Sequence, residues 1–243
     1  MSDNLTDFTF LQGVKVIDFT QFEAGPSCTE SLAWLGADVV KVENPKLGDP
    51  GRRLRPDQPD IDPYYFHILN ANKKSVTVNL KSPKGLELAK DLIRQADVMI
   101  ENFAPGAIER LGLSYDDVKA VNPGIIYAQV KGFGEGSPFE KNLAFDMIAQ
   151  ACGGTFSVTG DKDGPPTRPG ISLGDTGTGM VLAITILGAL YKRRDTGEGH
   201  QLQVAMQDAI LHYMRIPFST QGLTGKAAER GGSKVPGIVN APM

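Results

Sequence analysis

Along the first half of the chain, short apolar runs alternate with stretches whose apolar positions recur at helical spacing. Residues 14–19 (Val-Lys-Val-Ile-Asp-Phe) and 38–42 (Asp-Val-Val-Lys-Val) read as strands, with a turn over 20–26 and a helix over 28–35 between them. A strand that returns to the same sheet through a helix does so by a right-handed crossover, so this unit predicts parallel pairing. The alternation continues with a strand over 75–80, a helix over 83–95, a strand over 97–101, a helix over Tyr115–Val121 and a strand over 124–130. Pro83 suits a first helical turn, where its missing amide has no partner to lose. Residues 43–62, rich in Pro, Asp, Arg and Gly, predict a long excursion, and 102–106 predict a loop.

Beyond residue 142 the pattern changes. A helix over 145–152 is expected to stop at Gly153-Gly154. A loop with many prolines and glycines then leads into an almost wholly apolar helix over 180–191, closed by Lys192, Arg193 and Arg194. A turn over 195–199, a strand over 201–204 and a helix over 205–213 follow. Strands alternating with helices predict an α/β fold, a doubly wound and mostly parallel Rossmann-like sheet over residues 1–218. The weakly patterned residues 219–243 are expected to begin a glycine-rich linker. Ligands of such sheets sit at the carboxyl ends of the strands, which makes the loops 20–26, 43–48, 102–106 and 131–136 the expected site. No Gly-x-Gly-x-x-Gly opens a helix and no Walker loop is present, which argues against a dinucleotide or a nucleoside triphosphate.

Composition narrows the field. The chain has 243 residues, 41% hydrophobic and 22% charged, enough to bury one large core. A formal charge of −3 without long runs of one sign argues against a nucleic-acid partner. Residues 1–7 lack the basic and apolar regions of a signal peptide, and no apolar run approaches a membrane span. A cytoplasmic protein without a membrane partner is therefore expected. Cys28 and Cys152 are expected to be reduced thiols, and with His67, His200 and His212 scattered no metal-ligand spacing appears.

The stretch Ile-Ser-Leu-Gly-Asp-Thr-Gly-Thr-Gly over 171–179 carries the candidate chemistry. It sets one carboxylate, Asp175, among Gly174, Gly177 and Gly179, whose missing side chains are expected to let a bulky electrophile approach. The residues alone leave two readings open, a nucleophilic carboxylate and an ordinary helix N-cap.

Several blocks resemble one family. Residues 26–43 read Pro-Ser-Cys-Thr-Glu-Ser-Leu-Ala-Trp-Leu-Gly-Ala-Asp-Val-Val-Lys-Val-Glu, and 97–106 read Asp-Val-Met-Ile-Glu-Asn-Phe-Ala-Pro-Gly. With Ala-Gln-Ala-Cys-Gly-Gly at 149–154, Gly174-Asp175, Thr-Gly-Glu-Gly at 196–199 and Ala-Met-Gln-Asp at 205–208, they resemble, in order, the class III CoA-transferases of the CaiB/BaiF type. The likeness runs from about Leu11 to Pro217 and is nearest to the members that act on formyl-CoA and oxalate. It implies that Asp175 is the nucleophile that moves coenzyme A between an acyl-CoA and a carboxylic acid through covalent aspartyl intermediates. It implies, too, that Ala24 lies along the pantetheine, and that Val78, Asn79, Leu80, Lys81, Asn102, Phe103, Ala104 and Arg110 hold the nucleotide end. Coenzyme A is the implied cofactor, as substrate and product, with no metal.

Three positions depart from the formyl-CoA branch: Glu23 stands where it has Gln, Asn44 where it has Arg, and Phe145 where it has Tyr. The resemblance implies that Glu23 and Phe145 are also among the residues that bind coenzyme A; Glu23 is expected to set a second acid near the nucleophile, and Phe145 to remove a hydroxyl from the recognition of a small polar acyl group. Racemases of the same family use a His-Asp pair where this chain has Phe145-Asp146, so proton abstraction at an α-carbon is disfavoured. Family members continue past the length of this chain into a smaller domain and form interlocked dimers. The expected partner is therefore a second copy or a complementing C-terminal chain, and the alternative function is a CoA-binding subunit without its own turnover. Gly231-Gly232-Ser233 partly echoes the family's glycine-rich loop.

Overall fold

The computed structural model describes residues 9–54 and 60–234. Its elements run β1 (Lys15–Asp18), α1 (Ala24–Trp34), β2 (Asp38–Glu43), α2 (Tyr64–Asn70), β3 (Lys74–Thr77), α3 (Pro83–Arg94), β4 (Val98–Glu101), α4 (Ala107–Arg110), α5 (Tyr115–Val121) and β5 (Ile126–Lys131). The second half adds α6 (Asp146–Gly153), α7 (Thr155–Val158), α8 (Leu173–Thr196), β6 (His200–Ala205), α9 (Met206–Tyr213) and α10 (Arg215–Thr224). The strands form one sheet in the order β3-β2-β1-β4-β5-β6, and every pairing is parallel. The expected α/β sheet is therefore present, and its order reverses direction between β1 and β4.

Alternating residues of the strands feed two cores, one on each face. Val16, Val98, Ile100, Ile126 and Ala128 pack under α1 and α8, while Ile17, Met99 and Tyr127 pack against Ala89 and Ile93 of α3 and Val118 of α5. Burial on both faces accounts for the apolar starts of β4 and β5, which are buried at every residue and turn polar only toward their carboxyl ends, at Glu101, Gln129 and Lys131. Local signals set the helix starts on the second face. Ser82 accepts from the Gly85 amide with Pro83 in the first turn of α3, and Ser114 with Asp117 makes a capping box on α5.

Several segments differ from the sequence reading. α1 begins at Ala24, so the turn expected over 20–26 ends early and Pro26 lies in the first helical turn. β3 ends at Thr77, which leaves Val78, Asn79 and Leu80 in the connection to α3. The excursion 43–62 holds a 3-10 turn at Pro50–Arg53 and is followed by α2, a helix with no start signal beyond Pro63; residues 55–59 lie outside the described residues. The helix α10 crosses the boundary expected between 218 and 219, has no buried residue, and leaves only the start of the expected linker, through 234, among the described residues.

The largest difference is α8, which starts at Leu173 rather than at residue 180. It is long and apolar enough to cross a membrane, yet its buried side packs against α1, α9, β5 and β6. Its early glycines make that packing possible. A Cβ at Gly179 would stand 2.1 Å from Ser27 Oγ and 2.7 Å from the Ala24 carbonyl oxygen, so α1 and α8 cross where no side chain fits. Gly177 likewise meets the Tyr213 ring, and Gly174 the backbone of Asp146.

Candidate active site

Asp175 is the third residue of α8, not its N-cap. Ser172 holds the cap position without a side-chain bond, and the free amide of Gly174 donates instead to Asp146 Oδ1 at 2.8 Å. Asp146, the first residue of α6, also accepts from Gln150 Nε2 at 2.9 Å and from Arg168 at 2.7 Å. One carboxylate thereby fixes the start of the catalytic-candidate helix to α6 and to the proline-rich loop. The glycines around Asp175 are filled by α1, α6 and α9 rather than left open, so the expected clearance around the carboxylate is not their role.

Half-buried Asp175 lies close to two other acids. Burial first, then the charges of Glu23 and Asp146, push its carboxyl up to about 7, against the opposing pull of Arg168. This carboxylate is consequently poised near neutrality, although the first turn of a helix ordinarily favours an anion. Glu23 precedes α1 and accepts from the Thr176 hydroxyl at 2.9 Å. The Tyr65 hydroxyl reaches the same carboxylate, and burial together with Glu23 and Asp175 raises its pKa well above the usual phenol value.

A cavity of about 250 Å³ opens on Asp175. Its walls are the loops after β1, β4 and β5, joined by residues 142–145. The first two loops diverge at the point where the strand order reverses, the place where open α/β sheets form a crevice. Asn102 laces them together: its Oδ1 accepts from the Gln21 amide and its Nδ2 donates to the Gln21 carbonyl, each at 2.8 Å. Between them Phe22 is held at φ 63°, a left-handed conformation unusual for a bulky residue. Its ring meets Phe145 edge-on at 5.5 Å. The loop 43–48, also expected at the site, stays apart. Asn44 caps its own turn at Lys46 and Leu47, and Glu43 is buried against Arg52, Ser75 and the Asp49 amide.

The structure thus brings Glu23, Ala24, Asn102, Phe103, Ala104 and Phe145 to the Asp175 cavity. Leu80, Lys81 and Arg110 line a second, wider cleft of about 700 Å³ with Ala107 and Leu111. The two are consecutive along the chain, since residues 102–105 wall the first and α4 with Leu111 walls the second. Gly106 between them sits at φ 75°, and a Cβ there would come within 2.8 Å of the Arg110 guanidinium. Val78 and Asn79 line neither cavity: Val78 is buried in the core beneath α3, and Asn79 turns its side chain back onto the Lys81 amide. Tyr65 and Arg168 are site residues for which the sequence reading had no signal, and Asp146 and Thr176 were met in it without a role at the site. Tyr65 and Arg168 reach the cluster from distant segments, and Thr176, next to Asp175, is joined to Glu23 across 153 positions.

The model of CoA-transferase family III matches residues 11–243. The chain belongs to CoA-transferase family III. A formyl-CoA:oxalate CoA-transferase of Streptomyces coelicolor is 50% identical over 211 residues, covering 87% of this chain and 51% of that protein. One from Escherichia coli is 47% identical over 213 residues, covering 88% and 51%. The chain therefore spans about half the length of the curated relatives it matches. Among solved structures, a CaiB/BaiF family protein from Brucella suis superimposes with a TM-score of 0.90 at 35% identity, covering 95% of this chain and 62% of its own. A Mycobacterium tuberculosis protein described as hypothetical does so with a TM-score of 0.80 at 34% identity, covering 88% and 58%. These two structural neighbours share the fold at high similarity.

Proposed function

We propose that this chain carries the site for transfer of coenzyme A between an acyl-CoA and a free carboxylic acid, with Asp175 as the covalent carrier. Asp175 Oδ attacks the thioester carbonyl; a C–O bond forms, the C–S bond breaks, and CoA leaves as thiolate from a mixed anhydride. The thiolate then attacks the aspartyl carbonyl, releasing the donor acid and leaving an aspartyl-CoA thioester. An acceptor carboxylate displaces the thiolate to give a second anhydride, and the thiolate takes the acceptor's acyl carbon, restoring Asp175. No net proton is consumed. The observation that carries this reading is a half-buried carboxylate held near neutral pKa at a cavity formed where the strand order reverses.

The rest of the site supports it. Ala24 and Ala104 leave room along the cavity wall for a slender pantetheine arm, and Lys81 with Arg110 supplies cations for phosphates in the second cleft. The Gly174 amide is already committed to Asp146 and is not an oxyanion donor. The curated relatives are named for formyl-CoA and oxalate, and a carboxylic acid is the acceptor class carried over here. The proposed assembly is a homodimer in the cytoplasm; an exposed apolar stripe of Met180, Ile184 and Tyr191 on the outer face of α8 supports association. Incubation with a panel of acyl-CoAs and quenching with hydroxylamine is expected to convert Asp175 to a hydroxamate seen by peptide mass. Asp175→Ala is expected to abolish both that adduct and exchange of label between acyl-CoA and acid. Exchange that survives in Asp175→Ala would overturn the proposal.

A further inference from the structure

Resting on the CoA-transfer reading, we infer that Glu23 sets the acceptor class: a monocarboxylic acid with an apolar remainder, a second carboxylate being excluded. Two carboxylates, Glu23 and Asp175, open on the 250 Å³ cavity, and much of the remaining wall is apolar, including Phe22, Leu143, Phe145 and Met206. Its single lysine, Lys131, is not available to a ligand. It lies 2.6 Å from Glu101 and donates to the Phe103 carbonyl at 3.0 Å. The nearby Arg168 is held by Asp146. Among the described residues lining the cavity, no uncommitted cation is present to pair a second acid group.

Glu23 is held in place by two hydroxyls, those of Thr176 and Tyr65, which both donate to its carboxylate. When Asp175 is carried as a thioester its own charge is gone, and the charge on Glu23 is the one an incoming acid meets. A monocarboxylate places its reacting group at the aspartyl carbonyl and its tail against the apolar wall. A dicarboxylate must bury a second anion beside Glu23 without a partner, an arrangement that discriminates by repulsion and desolvation. Glu23 takes no covalent part in the exchange; it acts on specificity.

The test compares the full chain with Glu23→Gln and Glu23→Asp. Exchange into propionate and butyrate is measured against exchange into oxalate and succinate, and binding of the same four acids is measured calorimetrically without CoA. The expected wild-type preference is for the monocarboxylates. Glu23→Gln is expected to raise the dicarboxylate-to-monocarboxylate ratio of kcat/KM roughly tenfold or more, while Glu23→Asp, which keeps the charge, leaves the preference in place. A wild-type preference for dicarboxylates, or an unchanged ratio in Glu23→Gln, would overturn the inference. So would equal binding of all four acids, or of none, by wild type and Glu23→Gln alike. Discrimination in binding together with no exchange into any acid would instead sink the transfer reading while leaving the role of Glu23 standing.

Discussion

At the scale of single residues, the site is a buried carboxyl, Asp175, kept from ionising by its burial and by the acids beside it. Asp175 faces Glu23 from the start of α1, Asp146 from α6, Arg168 from the proline-rich loop and Tyr65 from α2. The carboxyl near 7 should appear as the acid limb of the pH–rate profile, because only the anion attacks a thioester. Glu23→Gln removes one cause of the elevation, so that limb is expected to move to lower pH, as read from kcat/KM with a monocarboxylate. Stability should carry the opposite signature. The folded chain keeps the Asp175 proton up to about 7 while the unfolded chain releases it near 3.8, so stability falls as pH rises across that window. Denaturant midpoints for Asp175→Asn are expected to lack this fall.

Among the elements, α1 and α8 are the pair that places Glu23 and Ala24 opposite Asp175. Their close crossing rests on Gly179, where a methyl group would meet Ser27 Oγ and the Ala24 carbonyl oxygen. Gly179→Ala is expected to lower unfolding stability by about 1–3 kcal/mol in urea titration, the usual effect of overpacking, and to reduce exchange activity by shifting Ala24. The same glycines explain what the sequence concealed. Glycine opposes helix propensity, so 173–179 reads as a turn, whereas the requirement met there is close packing of helices. The strands and α5 were legible because burial on both faces and a capping box leave local marks. By contrast α2 and α10 lack a capping side chain, and α10 also lacks a buried face. Asp175 stood out through its neighbours in sequence and Asp146 through the family's His-Asp pair, but Arg168 and Tyr65 join them only through folding and left no pattern to find.

For the molecule as a whole, buried ion pairs beneath the cavity link the sheet to the excursion between β2 and β3. Asp18 is fully buried; burial alone would raise its carboxyl, yet Lys41, Lys73 and the hydroxyls of Thr20 and Thr29 hold it at about 2. Lys73 also donates to the Pro26 carbonyl and to Asn70, tying β1, α1 and α2 together. Because the folded carboxyl is depressed below the unfolded value of 3.8, the contribution is complete above that pH and is lost as pH falls through about 2. It amounts to roughly 2 kcal/mol. Acid titration followed by circular dichroism is expected to show unfolding begin below about pH 4, and Asp18→Asn to remove Asp18's share of that dependence.

The Asn102 lacing has a consequence for traffic. Two hydrogen bonds through the Asn102 amide fasten the β1 and β4 loops together, whereas the next residue of the β1 loop, Phe22, reaches residues 142–145 only through its edge-on contact with Phe145. A ring contact parts without stranding a polar group, and a paired amide does not. Parting the two rings would leave no polar group unpaired, whereas separating the β1 and β4 loops would strand both the Asn102 amide and the Gln21 backbone.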